Sequence, residues 1–294
     1  MTSAFWASNV CLLGVQAGAV ALPRGHSLPA LERLSARLLS RWWALVPLAS
    51  IALVVWAINT QSETASGLTW LALIAIPPLA AAALGWTMHG GRPWLAALVV
   101  PLFLLAWFSR HSLVGEGSAT LLTGLSCVTL GVLLVSVAPN PWLKVGIVLM
   151  AASDAYLIGV QTLQPANDVL NAAAPPAQLP QLQRALFGQA LIGYGDLFIA
   201  GVFGALLAAE GRRQGRTALL LYGVALTFDV LFIWLDTLPA TVPVALTLIA
   251  TEAWQWRVRR RERARGSGVG ARDPAAGLDP VAGEGHSRAH AREA

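Results

Sequence analysis

Charge is scarce in this chain. Of 294 residues only 12% are charged, against 56% hydrophobic, with a mean hydropathy of +0.61. A soluble domain carries about 25% charge, so a soluble globular reading is excluded. Lys144 is the only lysine, and the net charge of +5 sits in arginines at the ends of apolar runs and near the C-terminus. That distribution does not suit nucleic acid. Cysteine is equally sparse. Cys11 and Cys127 each lie in an apolar run, which predicts two buried free thiols and no disulfide framework. None of the five histidines (His26, His89, His111, His286, His290) falls inside an apolar run. This excludes a membrane zinc protease, which needs a helical His pair and a Glu, and a membrane Ser–His hydrolase. No metal or other cofactor is expected. No stretch is left for a soluble catalytic domain, so the chemistry has to take place within the bilayer.

What the chain has is long apolar runs. A spanning helix needs roughly 17–25 mostly apolar residues. Nine candidate runs appear: 4–22, 42–59, 68–88, 93–108, 118–138, 142–163, 186–208, 217–235 and 238–255, of which the fourth is short and the ninth begins with prolines. The first has no basic segment before it, which favours a retained helix over a cleaved leader, although the Ala-rich stretch ahead of Pro23 fits cleavage. Trp6, Trp42, Trp43, Trp94 and Trp254 stand near run ends, where interfacial aromatics belong. With nine crossings, the arginine-rich segments after runs one, seven and nine fall on one side, together with Arg92 and Lys144. The positive-inside rule then predicts the N-terminus outside and the C-terminus in the cytoplasm. The preference for Arg over Lys, with abundant Ala, Gly and Trp, is that of a high-GC bacterial genome, so the expected location is a bacterial plasma membrane. Residues 1–256 form the expected all-α transmembrane domain. Residues 257–294, rich in Arg, Gly and Glu, read as a disordered basic cytoplasmic tail held against anionic lipid.

Two aspartates interrupt these runs. Asp154 lies near the centre of run six and Asp196 near the centre of run seven. A carboxylate at bilayer depth costs about 2.5–3.5 kcal/mol on insertion scales and marks a functional site by default. Antiparallel neighbours would bring the two to one depth. Two close carboxylates do not readily both ionise, so the pair holds a single proton. The ionised member can draw a proton from water while the protonated member polarises a carbonyl. Gly193 and Gly195 flank Tyr194 just before Asp196, and lacking side chains they let the backbone approach a neighbour or an extended substrate. Pro239 and Pro243 remove backbone donors at the start of run nine, which suits either a kinked helix start or an opened segment that pairs with a substrate strand. The segment 164–185 reads as an outer loop joining the two Asp helices.

These features resemble the presenilin and signal-peptide-peptidase family of intramembrane aspartyl proteases. Ser153-Asp154-Ala155-Tyr156 stands where that family has Tyr-Asp in its sixth helix. Gly193-Tyr194-Gly195-Asp196 is similar to its Gly-x-Gly-Asp in the seventh, and Leu238-Pro239-Ala240-Thr241 to the Pro-Ala-Leu element of the ninth. The resemblance covers residues 118–255. Ser153 replaces the usual Tyr, Thr241 stands where Leu is usual, and Pro243-Val244-Ala245-Leu246 is a competing alignment. The resemblance implies a presenilin-like bundle with catalytic Asp154 and Asp196. It implies supporting or substrate-binding roles for Gly193, Tyr194, Gly195, Pro239 and Ala240. It also implies transmembrane segments or remnant signal peptides as substrates. Two other readings use the same residues. One is a prepilin-peptidase-like aspartyl protease, which also carries Gly-x-Gly-Asp. The other is a proton-coupled transporter in which Asp154, Asp196 and Asp229 relay protons. Asp229 alone also reads as a residue near a helix end.

Overall fold

The computed structural model describes residues 3–25, 63–159, 179–234 and 238–269. Run 42–59, most of the 164–185 connection and the tail beyond 269 lie outside the described residues. The elements in order are α1 (Ser3–Ala21), α2 (Glu63–Ala82), α3 (Val99–Phe108), α4 (Leu113–Val137), α5 (Asn140–Gly159), strands β1 (Arg184–Phe187) and β2 (Ala190–Gly193), α6 (Tyr194–Ala209), α7 (Gln214–Asp229) and α8 (Thr241–Val269). Short helical turns follow α2, precede α3 and follow α7. Residues Met1–Thr251 and Glu252–Ala294 form two compact units. The protein is mostly helical, and five helical segments are long and apolar enough to cross a membrane: Ser3–Ala21, Gly67–Thr87, Leu113–Val137, Asn140–Ile158 and Gln214–Ile233. Pro93–Phe108 and Tyr194–Ala209 are shorter apolar helices.

Three sequence expectations need correction. Run seven is not one helix: its first residues form the antiparallel hairpin β1–β2, with Arg184 opposite Gly193 and Phe187 opposite Ala190. The two-residue turn Gly188-Gln189 puts Gly188 at φ 60°, which its missing Cβ permits. Asp196 therefore stands in the first turn of a 16-residue helix, not at the middle of a long one. The helix that opens run nine continues to Val269, so the expected irregular tail is helical over its first residues. Cys11 is exposed; only Cys127 is buried.

Helix α6 is the core element. Leu197, Ala200, Val202, Phe203, Leu206 and Leu207 are each at most 1% exposed, so the helix is apolar all round, as a fully enclosed helix must be. Glycines let its neighbours close on it. A Cβ on Gly131 of α4 would lie 2.5 Å from the Gly201 backbone, and one on Gly204 would lie 2.5 Å from the Val20 carbonyl of α1. Small residues that bring backbones together are the usual basis of helix packing in lipid. Beyond the C-terminal end of α6, Gln214 Nε2 donates to the carbonyls of Val20 (3.2 Å), Pro23 (2.8 Å) and Gly204 (3.0 Å), and its Oε1 lies 3.0 Å from His89 Nε2. One amide thus ties three segments.

The hairpin owes its place to α4. Glu116, Thr120, Thr123 and Ser126 are spaced by four, three and three residues and so share one helix face. Glu116 Oε2 accepts from the Gly188 amide at 2.7 Å; Thr120 Oγ1 donates to Leu186 O at 2.9 Å and Thr123 Oγ1 to Leu182 O at 3.1 Å. Ser126 Oγ lies 3.1 Å from the Tyr194 hydroxyl. Polar side chains of one α4 face thus satisfy backbone groups of the hairpin and of the residues leading into it.

Candidate active site

Asp196 is held by the start of α6. Gly193 is the extended N-cap residue, and Asp196 occupies the third helical position, where an acidic side chain reaches back to the capping amide. A Cβ on residue 193 would sit 3.1 Å from Asp196 Oδ2, a tight contact that the carboxylate would have to shift to relieve. Gly195 differs: a Cβ there meets nothing within 4 Å, and the residue is exposed. The first glycine of the motif makes room for the carboxylate, and the second leaves an open face beside it. Tyr194 turns inward to Ser126.

Asp154 comes from α5. That helix runs antiparallel to α6: Lys144 Nζ near its start meets Glu210 Oε1 just past the end of α6 at 2.5 Å, and Asp154 near its end lies on the side of Asp196 at the start of α6. The two carboxylates, 42 residues apart in sequence, therefore meet at one level of the fold, and both are half-buried. Tyr156, two positions beyond Asp154, is 69% exposed and takes no part.

The third contributor is the start of α8. Pro239 is buried and Ala240 forms the turn before the helix. Thr241, 1% exposed, donates its hydroxyl to Asp154 Oδ2 at 2.8 Å, and its backbone amide faces the Asp196 carboxylate. One residue spans both carboxylates. In the sequence Thr241 stands out only as a departure from the Pro-Ala-Leu motif. The available signal was a hydroxyl at the first position after Pro-Ala, where a helix start leaves amides and side chains free to bond outward.

No family model, curated protein or solved structure matches this chain.

Asp229 is separate. It is 6% exposed at the end of α7 and accepts from Asn9 Nδ2 of α1 at 2.5 Å. Of the residues singled out in the sequence, Asp154, Asp196, Gly193 and Gly195 come together with Pro239-Ala240-Thr241, whereas Asp229 does not join them. Among the described residues no three His, Cys, Asp or Glu side chains cluster as a metal site. What the arrangement offers is a pair of carboxylates, fed by donors from one threonine, beside an open glycine and the end of a strand. That is the equipment for splitting a polar bond with water and general acid–base catalysis.

Proposed function

We propose that the protein is an intramembrane aspartyl protease of the Gly-x-Gly-Asp type, similar in design to presenilin and signal peptide peptidase. The observation that carries this reading is Thr241 on both carboxylates. It brings the proline element, the Tyr194-to-Asp196 helix start and Asp154 to one point, from three segments distant in sequence. In the reaction, one carboxylate takes a proton from water as the oxygen attacks the scissile carbonyl, and the other carboxylic acid donates to the carbonyl oxygen. The tetrahedral adduct collapses as the amide nitrogen leaves with a proton, and the shared proton returns to the pair. A substrate helix must open to present its carbonyl. The extended strand β2, which runs directly into Gly193, is a surface on which opened substrate backbone can pair. Transmembrane segments and remnant signal peptides are the substrates that reach such a site.

In this reading the chain crosses a bacterial plasma membrane nine times, N-terminus outside. Helix α6 alone, about 24 Å long at 1.5 Å per residue, falls short of a hydrocarbon core of about 30 Å, and the hairpin completes its crossing. The prepilin-peptidase alternative has no use for the proline element. A transporter relay through Asp229 lacks a link, because the partner of Asp229 is Asn9. The test is turnover of a transmembrane model substrate by purified protein, wild type against Asp154→Asn and Asp196→Asn. Wild-type cleavage lost in both variants supports the assignment, and equal turnover by all three rejects it.

A further inference from the structure

Gln16 is the most deeply buried polar side chain of α1, at 1% exposure. Its Nε2 donates to the carbonyl of Ala240, 224 residues away, at 2.9 Å. Its Oε1 is buried and has no hydrogen-bond partner among the described residues. A primary amide is expensive to bury when only half satisfied, so the single bond it makes identifies what it does here. That bond grips the backbone one residue before Thr241. At that point α8 is least constrained by its own hydrogen bonds, because the first turn of a helix has no partners for its amides. Pro239 precedes it and cannot donate at all. A slip of one residue at this helix start would turn Thr241 by about 100° and take its hydroxyl off Asp154.

We propose that Gln16 is a positioning residue for the aspartate pair: by holding the Ala240 carbonyl it sets the rotation of the α8 start and keeps Thr241 on both carboxylates. This rests on the proteolytic reading of the pair for its kinetic consequences, but not for its structural one. Gln16 does not touch substrate. It acts through Ala240 and Thr241, from a helix that carries no residue of the pair.

The experiment uses the full chain in proteoliposomes with a transmembrane model substrate and five proteins: wild type, Gln16→Met, Thr241→Val, Thr241→Ser and the double variant Gln16→Met/Thr241→Val. Misplacement of a catalytic group by about an ångström costs up to about a hundredfold. On that scale Gln16→Met should lower kcat about tenfold with KM within about twofold, and Thr241→Val should lower it at least as much. Thr241→Ser, which keeps the hydroxyl, should retain most of the activity. Because both residues act through one contact, the double variant should be no worse than Thr241→Val alone. Gln16→Met kinetics unchanged, a change confined to KM, or multiplying effects in the double variant would each overturn the proposal. A second readout is the infrared carboxyl band that disappears in Asp154→Asn. It should move in both Gln16→Met and Thr241→Val, and an unmoved band in folded Gln16→Met overturns the proposal whatever the activity. If Gln16→Met does not fold, Gln16→Asn, one methylene too short to reach Ala240, takes its place in both measurements. If the wild type cleaves nothing, the protease reading fails and the infrared band alone decides the positioning role.

Discussion

The two ends of helix α6 use the same residue types for opposite purposes. At the far end, Gly204 presses against the Val20 carbonyl and Gly201 against the backbone of α4, and Gln214 satisfies three carbonyls at once. Glycine there removes bulk so that backbones can touch, and the polar side chain is used up in holding segments together. At the near end, Gly195 meets nothing, Gly193 gives way only to a carboxylate, and Asp196 stays half-buried. Glycine there keeps a face open, and the polar groups point at one another across three segments. A glycine in a membrane helix therefore carries no meaning until its neighbours are known. The comparison separates a locked half of the helix from a working half.

The strongest way to break this comparison is at the working end. Asp154→Asn and Asp196→Asn should each lower kcat by roughly 10²–10⁴-fold, the span of general acid–base contributions, with folding retained on size exclusion. The wild-type kcat should follow a bell-shaped pH dependence. Activity falls at low pH, where both carboxyls are protonated and no base remains. It falls again at high pH, where both are ionised and no acid remains. A monotonic profile through the whole range would count against the shared-proton pair.

At the locked end, Gly204→Ala should destabilise by about 1–3 kcal/mol, because its new methyl meets a backbone carbonyl that has little room to move. Unfolding in mixed micelles measures this, and a neutral result would show that α1 and α6 separate freely. Between the two ends, Thr120→Val/Thr123→Val strips the donors from the Leu186 and Leu182 carbonyls. A loss of about 1–3 kcal/mol per orphaned group is expected, and faster amide exchange confined to residues 184–193 would locate it in the hairpin. The smallest effect on stability belongs to Gly195→Ala, within about 0.5 kcal/mol of wild type, since nothing crowds that position. The same change should raise KM for substrate, because the methyl enters the open face. Equal loss of stability in Gly195→Ala and Gly204→Ala would erase the distinction between the ends.

Much of the site was legible beforehand. Asp154 and Asp196 stand out because a carboxylate in an apolar run is costly wherever the run folds. Gly193 was marked by its motif, and Pro239-Ala240 by a break in helical donors. Thr241 is not legible as a contributor, because its hydroxyl bonds a residue 87 positions away, and no local pattern announces that. The hairpin was missed for a different reason. Residues 186–208 are apolar apart from Gln189 and Asp196, and an apolar run reads alike as strand or buried helix. The Gly188-Gln189 turn was the one local sign. Asp229 reads as a cavity residue or, more simply, as one near a helix end. It closes α7 and is buried against Asn9, and only the fold brings α1 there.

By itself the sequence determined that the chain is rich in helices apolar enough for a membrane and that two acids sit within its apolar runs, but not which of the nine runs are long enough to cross. Those properties follow from transfer free energies, which sum residue by residue along the chain. The tertiary structure decided that the first part of run seven is extended, that one threonine joins both carboxylates, and that a glutamine of the first helix grips the residue beside it. Those outcomes depend on which donors and acceptors meet in a medium without water to satisfy them. That pairing is settled by the packing of distant helices, not by the composition of any one.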